Sequence, residues 1–172
     1  MAKSIFSLEL QGFASGQTDF SARLSTLPAE ILEPIAKLID GTFEASSDPS
    51  GTKFTSISIV GHSDRQDLSG MSSEQRKESE LKASQERADS ASNWLLNKLA
   101  DMQNPGDVIQ LDWRSVSNIG VAVIASGAAK LINPNPGNDE NLRLQNRRVE
   151  FIVTAINVNT LQELDNNNIS IG

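Results

Sequence analysis

Ile57-Ser58-Ile59-Val60-Gly61-His62-Ser63-Asp64 is the stretch from which the rest of the chain is read. Phe54, Ile57, Ile59 and Val60 alternate and then run together, the pattern of a strand buried in a core, and Gly61 stops it where the chain must turn sharply. His62, Ser63 and Asp64 are polar and fall at the carboxyl end of that strand, where open α/β-type sheets gather their binding residues. Two later pieces answer it. Gln85-Glu86-Arg87-Ala88 sits on a long helical pattern, and Asn146-Arg147-Arg148-Val149-Glu150-Phe151 leads into a last strand.

Upstream, residues 4–10 alternate as a first strand, followed by a polar stretch punctuated by Gly12 and Gly16. Leu27, Ile31, Ile35, Leu38 and Ile39 then recur at helical spacing, with Pro28 at the first helical position and Gly41 as the stop. Pro34 falls inside this pattern and is expected to bend the helix or confine its regular part to the residues after it. Residues 46–51 read as a surface loop.

Downstream, Ser69-Gly70 is the expected reversal, and Ser72 three residues before Gln75 is a capping box that opens a helix over 73–102. Leu81, Ser84, Ala88, Ala91, Leu95, Leu99 and Met102 form its apolar stripe, Asn104-Pro105-Gly106 ends it, and the charged run 74–80 reads as a solvated face. Residues 108–113 and 119–125 read as strands, the second rich in Val and Ile as a buried strand would be. A proline-held loop over 133–138 and a short helix or turn over 138–145 lead to the last core strand, built on Val149, Phe151 and Val153 and expected beside Ile57 to Val60.

Composition bounds the function. At 172 residues the chain is one domain by length, with a core about 54–156, an insert about 103–118 and a tail 157–172. There is no cysteine, which removes disulfides and thiolate metal sites. Twenty-two acidic residues against 15 basic give a net charge of −7, which disfavours binding to nucleic acid or to anionic membrane surfaces. Residues 1–10 hold one lysine and no long apolar run, so they do not read as a secretory signal, and no segment approaches the roughly 18 apolar residues of a membrane span.

Gly61-His62-Ser63-Asp64, Arg87-Ala88 and Asn146-Arg147-Arg148-Val149-Glu150, in that order and in strand, helix and strand contexts, resemble the OmpA-like peptidoglycan-binding domain family. The family pattern is a strand ending in Gly-His-Thr-Asp, a helix carrying Arg-Ala, and Asn-Arg-Arg-Val-Glu. The resemblance implies an α/β (α+β) fold, a βαβαββ sandwich with a mixed sheet and helices packed on one face. It implies a non-catalytic module that grips the diaminopimelate zwitterion of peptidoglycan stem peptides, at the cell envelope or its periplasmic face. Ser84 keeps a family serine on the helix, while Glu80, Ala83 and Leu142 depart from the family's asparagine, leucine and glycine. The rival expectation is a structural subunit of a phage tail or contractile injection assembly, with protein partners contacted through the insert and tail.

Asp64 and Arg87 form the expected clamp, because a carboxylate takes an ammonium and a guanidinium takes a carboxylate through a planar fork. A salt bridge between the two, or Arg87 as one more solvated charge, is the alternative. Either Asn146 or Arg147 is expected to border the pocket, with Arg148 and Glu150 structural; His62, the only histidine, is a candidate ligand contact or a structural residue. A single imidazole excludes a histidine-rich metal site, and no Gly-x-Ser-x-Gly or His-Glu-x-x-His motif points to hydrolysis. The expectation is therefore no enzyme activity, no cofactor and no metal.

Overall fold

The computed structural model describes residues 3–46, 53–66, 69–103 and 119–157. Along the chain run β1 (Lys3–Leu10), α1 (Phe20–Leu24), α2 (Ala29–Ser46), β2 (Lys53–Gly61), α3 (Ser73–Gln103), β3 (Ile119–Ala125), α4 (Glu140–Asn146) and β4 (Val149–Asn157). The described strands make one mixed sheet in the order β1-β4-β2-β3, with β4 antiparallel to both neighbours and β2 parallel to β3. Its long elements follow the expected βαβαββ succession, to which short α1 and α4 are added. Ile57 pairs with Val153 and Ile59 with Phe151, so the two strands expected to be neighbours are.

Period-two alternation decides which face is covered. Ile57 and Ile59 on β2, Val149, Phe151 and Val153 on β4, and Leu10 on β1 are buried, while the residues between them are half-buried or exposed. Helices α2 and α3 pack on the buried face through Ile35 and Leu38 of the first and Ala88, Ala91, Trp94, Leu95 and Leu99 of the second. Small side chains at Ser84, Ala88 and Ala91 let α3 approach the strands closely. At Gly61 the approach is so close that a Cβ would collide with the backbone carbonyl oxygen of Ser84. Gly61 is thus required by the close packing of α3 as well as marking the end of the strand.

An aromatic cluster seals the core below the site. Phe20 packs tilted at 48° against Trp94, with ring centroids 4.8 Å apart, and meets the Phe151 ring edge-on at 5.4 Å, with Phe13 at 6.5 Å. Phe13 and Phe20 come from the stretch after β1 that reads as polar. Asp19 makes that possible by capping α1, its carboxylate accepting from Ala22 N–H at 3.1 Å, and Phe20 N–H donates to Ser90 Oγ at 2.8 Å.

Several expectations need correction. Helix α2 continues through Gly41 to Ser46, because glycine ends a helix only where the chain takes up the left-handed conformation; it starts at Ala29, next to the expected Pro28, and runs through Pro34 instead of being confined to the residues after it. Leu81 is 48% exposed and stands off the core, beside Gly127. Strand β3 is an edge strand among the described residues, so Val121 and Ile124 remain exposed despite their apolar character. The capping box is present as read: Ser72 N–H donates to Gln75 Oε1 at 2.9 Å and Gln75 N–H to Ser72 Oγ at 3.2 Å. The loop at 47–51, the helix stop at 104–106, the strand over 108–113 and the tail beyond 157 lie outside the described residues.

Candidate functional site

The carboxyl end of β2 is pinned from three sides. His62 N–H donates to the carbonyl of Arg148 at 2.9 Å, Ser63 N–H to that of Gly127 at 2.8 Å, and Ser126 N–H to that of Gly61 at 3.0 Å. Beyond these contacts opens a cavity of about 300 Å³. Ser15, Gly16 and Thr18 form one wall, Ser63 to Gln66 another, Lys82, Ala83, Glu86 and Arg87 of α3 a third, and Arg143 and Arg147 close it.

Asp64 is 5% exposed and already holds donors on both oxygens: Arg143 Nη1 at 2.6 Å and Asn146 Nδ2 at 2.8 Å, with Arg147 Nη2 at 3.8 Å. Arg143, Asn146 and Arg147 stand at i, i+3 and i+4 on and just past α4, which puts all three on one side of it. Asp139 caps this short helix by accepting from Asn141 and Leu142 N–H. The role of Arg143 escaped the sequence reading, although that spacing carried the signal.

Arg87 is 2% exposed. Its Nε donates to the carbonyl of Gln17 at 2.9 Å and its Nη1 to that of His62 at 3.0 Å, while the guanidinium lies 5.5 Å over the Phe13 ring. Burial, and next the nearby charge of Arg147, pull its pKa down to about 10, so it remains a cation at neutral pH. Asp64 and Arg87 therefore line one cavity from different walls and are each held by other partners. Arg147 Nη1 donates to Glu140 at 2.6 Å, a bond that holds the Glu140 carboxyl below its ordinary range.

The remaining predicted residues sit elsewhere. Asn146 is buried behind Asp64, its amide shared between that carboxylate and the Asn133 backbone, at 2.8 Å from N–H and 2.9 Å from the carbonyl. Of the pair Asn146 and Arg147, it is Arg147 that borders the cavity. Ser84 is also buried, its Oγ accepting from Gly127 N–H at 2.9 Å and donating to the Leu81 carbonyl at 2.8 Å, which fastens α3 to the turn after β3. His62 faces away from the cavity, with Nδ1 3.0 Å from Ser126 Oγ and Nε2 3.5 Å from Glu150. Burial, then the charges of Arg148 and Lys130, lower its pKa to about 4. The imidazole is consequently neutral at pH 7, and its contact with Glu150 is not an ion pair there. Arg148 is buried, donating to the carbonyls of Asn146 and Lys130 and standing 3.4 Å from Glu9 and 3.6 Å from Glu150.

Among the described residues five cations line the cavity (Arg65, Lys82, Arg87, Arg143 and Arg147) against two carboxylates, Asp64 and Glu86. In a chain of net charge −7 this is a local reversal, and it favours a ligand bearing a carboxylate. Among the described residues no group of three His, Cys, Asp or Glu side chains could hold a metal ion, and no helix is long and apolar enough to cross a membrane.

No protein-family model and no curated protein matches the chain. Similar solved structures include a MotB-like protein from Desulfovibrio vulgaris, 18% identical, with 88% of this chain and 80% of that one covered and a TM-score of 0.45. The periplasmic domain of Helicobacter pylori MotB is 15% identical, with 95% and 86% covered and a TM-score of 0.43. Likeness of this degree leaves the chemistry of the site to be argued from its own residues.

Proposed function

We propose that the chain is a non-catalytic peptidoglycan-binding module of the cell envelope whose cavity grips the zwitterionic end of diaminopimelate in a stem peptide. The observation that carries this is the convergence of Asp64 and Arg87 on one amino-acid-sized cavity at the carboxyl end of β2. Arg87 uses Nε and Nη1 to fix itself to the backbone, and among the described residues Nη2 holds no such bond and is the nitrogen for a ligand carboxylate. Each oxygen of Asp64 holds a single short hydrogen bond and keeps a second lone pair, which a ligand ammonium can take. Arg143 and Asn146 preorganise the carboxylate, so that little ordering remains for the moment of binding. Catalysis is not what the geometry favours: the imidazole of His62 faces away, and among the described residues no base is hydrogen-bonded to Ser63 Oγ.

Sedimentation with insoluble peptidoglycan tests the proposal. The full chain is expected to pellet with diaminopimelate-type material and to be released by free meso-diaminopimelate but not by lysine, which lacks the second carboxylate. Equal retention by lysine-type peptidoglycan, or none by either, would refute it.

A further inference from the structure

Three buried side-chain polar atoms lack a hydrogen-bond partner among the described residues: His62 Nε2, Arg148 Nε and Ser63 Oγ. The first two have a carboxylate nearby, Glu150 for both and Glu9 as well for Arg148. Ser63 belongs to the cavity wall. Its backbone is fixed by the bond to Gly127, and its neighbours in sequence are the two ends of the clamp, since Arg87 donates to the carbonyl of His62 and Asp64 follows directly. Ser63 thus lines the same cavity as Asp64 and Arg87. It is enclosed and no hydrogen bond holds its rotamer, so turning between staggered positions towards the cavity sacrifices none. An enclosed hydroxyl without a partner is unfavourable and native folds keep few of them; a ligand acceptor would remove the penalty.

We infer that Ser63 is a ligand-binding residue whose hydroxyl donates to the carboxylate held by Arg87, and that the site therefore selects a free carboxylate over its amide. A carboxylate offers one charged oxygen to the guanidinium and the other to the hydroxyl, whereas a primary amide can meet the same hydroxyl only through a weaker neutral hydrogen bond. The cationic surplus of the lining acts in the same direction. The role of Ser63 rests on the binding function proposed above.

The test is calorimetric titration of the full chain with a soluble stem tripeptide ending in meso-diaminopimelate, its terminal carboxylate either free or amidated. The parent is expected to favour the free acid. Ser63→Ala should lose about 10-fold in affinity for the acid and less for the amide, while Ser63→Thr, which keeps the hydroxyl, retains the preference. Ser63→Ala should melt no lower than the parent, since it removes an unpaired group. Parent binding that is unchanged in a folded Ser63→Ala variant would overturn the role of Ser63 and leave the Asp64 and Arg87 clamp standing. Failure of the parent to bind either peptide would overturn both.

Discussion

Replacing Asp64 with alanine would remove the acceptor shared by Arg143 and Asn146. The carboxylate, with its side chain 4% exposed, accepts from Arg143 at 2.6 Å and from Asn146 at 2.8 Å, and draws Arg147 to 3.8 Å. Without it, the Asn146 amide loses its acceptor on that side and Arg143 loses its short ion pair, while Arg147 keeps Glu140 at 2.6 Å and Arg143 Nε keeps the Gly137 carbonyl at 2.9 Å. Removing one partner of a buried ion pair costs about 3–5 kcal/mol. The Arg143 side chain is 17% exposed and can turn towards water in the cavity, which places this case at the lower end, about 3 kcal/mol. At about 2–4 °C per kcal/mol for a chain of this length, the melting temperature should fall by about 6–12 °C. Asp64→Asn, which keeps one acceptor oxygen, should fall less. Circular dichroism melts and urea titrations at pH 7 measure both. A melting temperature for Asp64→Ala within about 2 °C of the parent would show that the network contributes nothing to the fold.

Arg87→Ala should weaken peptidoglycan binding about 10- to 150-fold, the value of a charge-assisted hydrogen bond, and should also destabilise, because the carbonyls of Gln17 and His62 lose their donor; sedimentation alongside melts separates the two effects. Gly61→Ala should cost about 1–3 kcal/mol or more in urea unfolding, since the clash is with the α3 backbone at Ser84 and not with a movable side chain. Wild-type stability should decline as pH falls from about 6.5 to about 4, because the unfolded chain protonates His62 at its ordinary pKa while the folded chain resists until about 4. The full difference is about 3 kcal/mol at 1.36 kcal/mol per pKa unit. His62→Gln should lack that component; parallel pH profiles for the two proteins would contradict it.

Strand and helix periodicity was written locally, which is why β2, α3 and β4 fall where the sequence places them: alternation over Ile57 to Val60, the capping box at Ser72 and Gln75, and the Val149, Phe151, Val153 series each depend on near neighbours. Three short motifs pointed to Asp64, to Arg87 and to either Asn146 or Arg147, and of these Asp64, Arg87 and Arg147 line the cavity. Partners were another matter. That Arg143 rather than Arg87 pairs with Asp64, that Asn146 serves the carboxylate from behind, and that His62 and Ser84 fasten backbone away from the cavity all depend on which elements the packing of α3 and α4 brings together. Phe13 and Phe20 show the same limit, since their burial comes from α1 closing over Trp94 and Phe151. Sheet order decided the exposure of β3, because an apolar strand is buried only if its neighbours cover it. Period and capping are properties of a few adjacent residues; the hydrogen-bond partner of a buried charge is a property of distances across the whole chain, and those are fixed only when the core closes.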